Sequence, residues 1–257
     1  MSWALFDLDD TLLDHDSFAR FTLHLLQRNP VRATAAVLLS PLVAAVFTRR
    51  AWRVHAGSVL LWLGTVGVSD TRLDRIVRDY LRRLDVRGRL VPDGEAALAR
   101  HFAAEDGVAV VTACAEQLAV PLCRAIDPRI RVVASTLKRR GGGLVADRHC
   151  YGARKVEMLL RSGVGGEIAA AYSDSASDGP MLDLARTAVL VNLPEATVES
   201  LRAQLTGPER WVRVDWRPRH RTQQNRPDLC RSGRFRVTGN RGSTPWELRE
   251  PGAEPGP

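Results

Sequence analysis

Two aspartates near the start of the chain, Asp7 and Asp9, are the residues whose type and spacing most strongly suggest chemistry. The apolar run 3–6 before them is typical of a short buried strand, and residues two apart on a strand share one face. The carboxyl ends of buried parallel strands are where α/β proteins bind ligands. Because neighbouring carboxylates repel each other unless a cation or a shared proton intervenes, the pair predicts a chemical role rather than a stabilising one.

Three later positions carry polar side chains that follow apolar runs or begin helices. Thr112 ends the apolar run 108–111, and Asp174 and Asp178 follow the apolar run 170–172. Lys155 is one of only two lysines among 37 basic residues, so a compact ammonium is indicated at a place where arginine would not serve. Each position also has an ordinary interpretation: a strand ending in threonine, a solvated helix lysine, or an aspartate-rich helix cap.

The order of these residues resembles a known family. The string Asp7-Leu8-Asp9-Asp10-Thr11-Leu12 is similar to the first motif, D-x-D-x-T-[LV], of the haloacid dehalogenase-like hydrolases. Thr112 matches the second motif of that family and Lys155 the third. The segment 170–182 matches the fourth, h-h-h-G-D-x-x-x-D, with Ser173 in place of the usual glycine. The resemblance runs in family order over residues 4–182.

The resemblance implies a phosphatase mechanism. Asp7 would be the nucleophile that forms an aspartyl-phosphate, and Asp9 would protonate the leaving alkoxide and then activate water. Thr112 and Lys155 would hold oxygens of the transferring phosphoryl group.

The resemblance also implies a Mg²⁺ cofactor. Its ligand residues would be Asp7, Asp9 and Asp174, together with the carbonyl of Leu8. Asp178 would orient the site or support Lys155. Oxygen donors of this kind suit Mg²⁺, which retains waters and shares ligands with phosphate.

The pattern of apolar runs predicts an α/β fold, a Rossmann-like three-layer α/β/α core with a parallel sheet, because helices and strands alternate from about residue 90. A mostly helical cap is predicted directly after the first strand. The predicted domains are a catalytic core of residues 1–14 and 90–206, a cap of residues 15–89 and a basic, disordered tail of residues 207–257. Residues 178–185 are predicted as a helix and residues 211–216 as a further edge strand. Asp16 or Ser17 is predicted to cap the first helix of the cap.

Two uncharged runs in the cap, 33–47 and 54–69, bear on membrane association. Both are shorter than the roughly 20 residues of a spanning helix. Arg32 and Ser40-Pro41 also argue against a span. One interpretation is a helical hairpin in the bilayer surface, with Arg49, Arg50 and Arg53 at the turn beside anionic headgroups. The other is that both runs pack on each other as an ordinary cap core.

The substrate is the least determined part of the prediction. A cap directly after the first motif is similar to the phosphoserine phosphatase-like subgroup. The chain further resembles the bacterial phosphatidylglycerophosphatase C family, which implies dephosphorylation of phosphatidylglycerophosphate to phosphatidylglycerol. The segments that carry this resemblance are 16–18, 25–30, 60–64, 150–156 and 172–175. The alternatives are a soluble phosphomonoesterase for a small metabolite and, more remotely, a non-catalytic binder of anionic lipid or nucleic acid.

Composition constrains partners and compartment. The 257 residues carry a net charge of +8, and residues 207–257, with 11 arginines and 6 acids, hold +5 of it. The charge indicates an anionic partner but does not choose among nucleic acid, anionic lipid and a phosphorylated metabolite. The resemblance implies a phosphorylated lipid substrate, and the cap predicts contact with an anionic membrane surface. The tail has few aromatics and no recognised motif, so no specific nucleic acid is expected. The four cysteines show no CxxC pair and we expect no leader before the first motif, which predicts a cytoplasmic location. With the lipid substrate that the resemblance implies, the location would be the cytoplasmic face of the bacterial inner membrane.

Overall fold

A six-stranded parallel sheet forms the centre of the computed structural model, which describes residues 2–47 and 53–216. Every neighbouring pair of its strands is parallel. In spatial order the strands are β3 (Arg131–Ser135), β2 (Gly107–Ala115), β1 (Trp3–Phe6), β6 (Ile168–Ser173), β7 (Ala185–Val191) and β8 (Arg210–Val214). The predicted α/β fold class is confirmed.

Alternating side chains on the strands feed two separate hydrophobic cores. Ala4 and Phe6 of β1 point into one core and Leu5 points into the other, as the two-residue period of a strand requires. The first core is covered by α5 (Pro92–Ala103) and α6 (Glu116–Ile126), and the second by α7 (Ala153–Arg161), α8 (Gly179–Leu182) and α9 (Glu195–Gln204). The sheet is therefore covered on both faces, which is the three-layer arrangement.

The helical cap lies between β1 and β2, as predicted. Its first helix is capped by the Asp16 carboxylate, which accepts from Ala19 N, and its fourth by the Ser69 hydroxyl, which accepts from Arg72 N. The cap shares the first hydrophobic core with the sheet, through buried residues such as Phe21 and Ile76. The cap helices are α1 (Ser17–Gln27), α2 (Pro30–Phe47), α3 (Arg53–Thr65) and α4 (Asp70–Arg83).

A β-hairpin from the core, β4 (Leu137–Arg140) and β5 (Gly143–Ala146), joins the cap to the sheet domain. The indole N–H of Trp62 in α3 donates to the carbonyl of Arg140 at 2.8 Å, and the N–H of Leu144 donates to the hydroxyl of Thr65 at 2.8 Å. Both bonds join the backbone of the hairpin to side chains of α3. The hairpin therefore holds the cap in place relative to the sheet.

The structure moves two boundaries drawn from the sequence. The edge strand predicted over 211–216 forms as β8 and pairs with β7, so the core extends past residue 206. Trp216 also packs on the Tyr172 ring, with 5.7 Å between ring centroids. The helix predicted over 178–185 is only α8, preceded by a 3₁₀ turn (Ala176–Asp178). It ends early because β7 begins at Ala185, which pairs with Ile168 of β6.

Two predictions concern segments at or beyond the limits of the described residues. The turn at Arg49 and Arg50 and the tail from residue 217 onward lie outside them. Within the described residues, none of the helices combines the length and the apolar character needed to cross a bilayer. The helix α2 runs without interruption through Pro41, so the run 33–47 is helical. The run 54–69 is helical as far as Thr65, where α3 ends.

Candidate active site

An ion-pair cluster lies at the carboxyl edge of the sheet. The ammonium of Lys155 donates to Asp7 Oδ1 at 2.5 Å and to Asp178 Oδ2 at 2.7 Å. Asp7 directly follows β1, and its N–H donates to the carbonyl of Tyr172 in β6. Lys155 and Asp178 are only 2% exposed, so water does little to screen the three charges. The structure thus brings together three of the predicted site residues, whose sequence positions are far apart.

The first turn of α7 delivers Lys155 to this cluster. Gly152 precedes the helix with φ +57°, a backbone conformation that glycine adopts at low cost. Lys155 and Leu159, four residues apart, are the buried residues of α7, so they share the helix face that packs on the sheet. The amphipathic pattern of the helix therefore directs the ammonium inward.

The Asp9 carboxylate faces the start of the cap. After β1 the chain turns tightly: the N–H groups of Leu12 and Leu13 both donate to the carbonyl of Leu8, and Asp10 has φ +56°. Asp9 Oδ1 accepts from the N–H of Ser17, the first residue of α1, at 2.9 Å. A carboxylate at a helix N-terminus is stabilised by the unpaired N–H groups and the helix dipole.

Asp174 is held by Thr11, a residue to which the sequence analysis assigned no role. The Thr11 hydroxyl lies 3.2 Å from Asp174 Oδ1, to which it donates, and it accepts from the Asp174 N–H at 3.2 Å. Thr11 is completely buried. The Thr11 side chain of the first motif therefore bonds both the carboxylate and the backbone N–H of Asp174 in the fourth motif.

Thr112 reaches the same edge through strand register. Phe6 of β1 pairs with Val110 of β2, so Thr112 lies just beyond the level at which β1 ends. Its hydroxyl oxygen accepts from the N–H of Cys114 at 3.0 Å, within a bulge where the β2–β3 register shifts. Among the described contacts, no hydrogen bond joins Thr112 to Asp7. The two residues lie at the same edge of the sheet because β1 and β2 are neighbouring parallel strands.

A family comparison agrees with this geometry. Residues 4–183 match the family model described as haloacid dehalogenase-like hydrolase, which is well over half of the chain. The chain belongs to the haloacid dehalogenase-like hydrolases. The resemblance stated from the four motifs is confirmed at the level of that family.

Solved structures share the fold of this hydrolase. A protein of unknown function from Bordetella pertussis Tohama I is 24% identical with a TM-score of 0.63, over 79% of this chain and 96% of that one. A phosphoserine phosphohydrolase-like protein from Francisella tularensis is 14% identical with a TM-score of 0.50, over 78% and 93%. A probable phosphoserine phosphatase from Vibrio cholerae is 13% identical with a TM-score of 0.51, over 78% and 58%. At these identities the likeness concerns the fold.

Burial dominates the electrostatics of the hydrolase's carboxylates. Burial raises the pKa of Asp9 to about 6, against the opposing hydrogen bond from Ser17, and burial raises the pKa of Asp174 to about 6. The pKa of Asp7 is also raised, chiefly by burial, although Lys155 opposes the shift. Burial lowers the pKa of Lys155, but the ion pairs with Asp7 and Asp178 outweigh it and raise that pKa above its ordinary value. Burial, more than the neighbouring charges, therefore sets the direction of the pKa shifts of these three carboxylates.

The residues of this hydrolase fit a Mg²⁺ ion. Asp7 and Asp9 follow β1 and Asp174 follows β6, at the same edge of the sheet. Burial raises the pKa of each, and a divalent cation would offset the cost of burying their charges. In the part of the chain that the structure describes, no three His, Cys, Asp or Glu side chains form a metal-binding group. Mg²⁺ does not require one, since it typically binds one or two carboxylates together with waters and phosphate.

Three positions at this site were not assigned from the sequence. Thr11 and Ser173 both bond carboxylates of the site, and the backbone N–H of Ser17 bonds Asp9. Thr11 was part of the quoted first motif, and Ser173 was noted only as a departure from glycine. The position of Ser17 just after a predicted N-cap was the available signal for the third.

Proposed function

We propose that this hydrolase is a Mg²⁺-dependent phosphatase that works through an aspartyl-phosphate on Asp7. One observation carries the proposal: a buried ammonium, Lys155, contacts both Asp7 and Asp178 at the carboxyl edge of a parallel sheet. A nucleophilic carboxylate beside a fixed cation is suited to attack an anionic phosphorus centre, because the cation offsets the charge repulsion.

In the proposed reaction, an Asp7 oxygen forms a bond to phosphorus while the bond from phosphorus to the ester oxygen breaks. Asp9 then gives its proton to the departing alkoxide. In the second half, Asp9 takes a proton from water as that water attacks the phosphorus of the aspartyl-phosphate. This releases inorganic phosphate and restores Asp7.

The proposed role of Asp9 is supported by its surroundings. Its carboxylate is held by the N–H of Ser17, so the cap helix α1 fixes the acid at the entrance from the cap. An acid beside the leaving group matters, because an alkoxide is a poor leaving group without a proton.

Lys155, and Thr112 from the end of β2, are the proposed partners of the phosphoryl oxygens. Preorganised donors of this kind supply most of the stabilisation in phosphoryl transfer. The Asp7 and Asp174 carboxylates would hold a Mg²⁺ ion, which would neutralise charge between nucleophile and phosphate. The Leu8 carbonyl, predicted as a further ligand, accepts instead from the N–H groups of Leu12 and Leu13.

We further propose a lipid phosphate, phosphatidylglycerophosphate, as the substrate. The supporting observation is charge: residues 17–69, most of the cap, contain six arginines and no aspartate or glutamate. Such a segment is attracted to anionic headgroups. The proposed substrate would be presented to the cap at the cytoplasmic face of a bacterial inner membrane.

Exposed apolar side chains of the cap support a membrane-facing surface. Val31, Val37 and Leu38 of α2 are 69–75% exposed. Leu23 of α1 is 53% exposed. By contrast, Arg32 of α2 turns back to the cap and donates to the carbonyls of Gly64 and Val66. We therefore propose that this apolar face of α2 lies on an anionic bilayer surface.

A substrate panel tests the proposal. Phosphate release with Mg²⁺ is measured on phosphatidylglycerophosphate, phosphatidate, lysophosphatidate and phosphoserine. The proposal expects the highest kcat/KM on phosphatidylglycerophosphate. The alternative is a phosphatase for a small metabolite, since the two similar structures are named as a phosphoserine phosphohydrolase-like protein and a probable phosphoserine phosphatase. A highest value on phosphoserine would establish that alternative.

Vesicle sedimentation tests the surface separately. The double variant Val37→Ser/Leu38→Ser should lose binding to phosphatidylglycerol vesicles, whereas Leu160→Ser should retain it. Leu160 is a matched control because it is 65% exposed but lies on α7 of the core. Equal binding by both variants would contradict the proposed surface. Both variants should hydrolyse a water-soluble phosphate ester normally.

A further inference from the structure

Ser173, the last residue of β6, lies behind the ion-pair cluster. Its side chain has no solvent exposure. Its hydroxyl donates to Asp178 Oδ2 at 2.7 Å and accepts from the N–H of Ser175 at 3.1 Å. Both hydrogen-bonding functions of the hydroxyl are thus used, and a glycine at this buried position would remove one donor to Asp178 and the acceptor for the Ser175 N–H.

The same Asp178 oxygen that Ser173 contacts also accepts from Lys155. Asp178 Oδ2 therefore receives two donors, the Ser173 hydroxyl at 2.7 Å and the Lys155 ammonium at 2.7 Å. A carboxylate fixed by two buried hydrogen bonds has little rotational freedom. Its position determines where the ammonium lies, and that ammonium also contacts Asp7.

We propose that Ser173 is a positioning residue of the phosphoryl-transfer site: its hydroxyl fixes Asp178, and Asp178 fixes Lys155 toward Asp7 and the phosphate. Ser173 itself touches neither substrate nor reacting atoms. The inference rests on the proposed function, and it concerns a hydroxyl that the usual glycine of the fourth motif cannot supply.

A second interpretation is that Ser173 only stiffens the loop after β6. Ser175 provides the comparison, because its hydroxyl belongs to the same loop but contacts the Ser177 hydroxyl at 2.8 Å rather than Asp178. If loop stiffness were the whole effect, removing either hydroxyl would have similar consequences.

Steady-state kinetics with a water-soluble phosphate ester and Mg²⁺ separate the two interpretations. Ser173→Ala and Ser173→Gly should each lower kcat about tenfold with KM within about twofold, since a hydrogen bond to a charged group is lost. Ser175→Ala should keep kcat within about twofold of the unaltered protein. Equal losses in Ser173→Ala and Ser175→Ala would overturn the proposal, as would an unchanged kcat in Ser173→Ala.

A double-mutant cycle tests the path through Asp178. In an Asp178→Asn background, Ser173→Ala should lower kcat by less than about twofold, because the group that it positions has been altered. If the loss of kcat in the double variant equals the product of the losses in the two single variants, Ser173 acts independently of Asp178. That result would overturn the proposal. Thermal melting of each variant excludes unfolding as the cause.

A binding measurement distinguishes failure of this inference from failure of the proposed function. Beryllofluoride mimics a phosphoryl group on aspartate, and its adduct with Asp7 is followed by ¹⁹F NMR without turnover. The unaltered protein should form the adduct and Ser173→Ala should form it about tenfold more weakly. Equal affinity overturns the inference alone. If the unaltered protein neither turns over nor forms the adduct, the proposed function fails and the role of Ser173 with it.

Discussion

The Thr11 hydroxyl bonds both the carboxylate and the backbone N–H of Asp174, a residue 163 positions later in the chain. One buried threonine therefore joins the loop after β1 to the loop after β6. These loops carry Asp7 and Asp174, the two carboxylates that we propose to share a Mg²⁺ ion. The relative position of the two acids depends on this contact.

Replacing Thr11 tests that dependence. Thr11→Val keeps the shape of the side chain but removes its hydroxyl, so the Asp174 carboxylate loses a donor and its N–H loses an acceptor. We expect kcat to fall about tenfold and the Mg²⁺ concentration for half-maximal activity to rise. Thr11→Ser retains the hydroxyl and should remain within about threefold of the unaltered protein. Magnesium titrations of both variants give the comparison, and identical curves would refute the linkage.

Lys155 should matter for stability as well as activity. Lys155→Met leaves Asp7 and Asp178 buried without their cation, so we expect the free energy of unfolding to fall by about 3–5 kcal/mol. Phosphatase activity should be lost. Urea denaturation monitored by circular dichroism measures the first effect.

Lys155→Arg is the control for charge alone. A planar guanidinium cannot reproduce the position of a compact ammonium in a site with 3% side-chain exposure. We therefore expect Lys155→Arg to remain inactive although the charge is retained. Activity equal to that of the unaltered protein would show that only charge, and not geometry, is required there.

The contact between the β4–β5 hairpin and the cap predicts an intolerant glycine. A Cβ at Gly143 would lie 2.6 Å from Cδ1 of Trp62, too close for the indole to keep its bond to Arg140. Gly143→Ala should therefore destabilise the protein by about 1–3 kcal/mol. Gly165→Ala is the matched control, because a Cβ there has nothing within 4 Å. Gly143→Ala should melt at a lower temperature than Gly165→Ala. Indistinguishable melting curves would contradict a tight contact between the hairpin and the cap.

His149 should contribute to acid sensitivity. Burial, and then the charges of Arg154 and Lys155, lower the pKa of His149 below 6.5 in the folded protein. The unfolded chain therefore binds a proton more readily than the folded one, and stability is lost as the pH falls below about 6.5. His149→Gln removes this contribution. Melting temperatures at pH 7.5 and 5.0 should differ less in the variant than in the unaltered protein; an equal difference would refute the prediction.

Much of the fold was predictable because its signals are local. Apolar runs ending in Asp7, Thr112 and Asp174 predict adjacent strand ends. The length of α8 was not predictable in the same way, since pairing of Ala185 with β6 competes with helix formation. The edge strand β8 has a weak pattern by itself, and the neighbouring β7 provides its partner.

The links between motifs were not predictable from spacing. Thr11 and Ser173 act on carboxylates that the folded sheet brings to them, and nothing in the local sequence reveals such long-range or second-layer bonds. Ser17 was recognisable as a helix start but not as the donor to Asp9. A pattern reports which residues reach the site, whereas the contacts among them depend on strand register.

The most direct test of the account is phosphate release by Asp7→Asn. Asparagine keeps the size of the side chain but lacks the anionic oxygen that attacks phosphorus. The account predicts that kcat with Mg²⁺ falls by about a thousandfold or more, while the fold is retained. It also predicts that mass spectrometry of the acid-quenched unaltered enzyme finds a phosphoryl group on Asp7. Undiminished phosphate release by Asp7→Asn would contradict the aspartyl-phosphate mechanism and the function proposed for this chain.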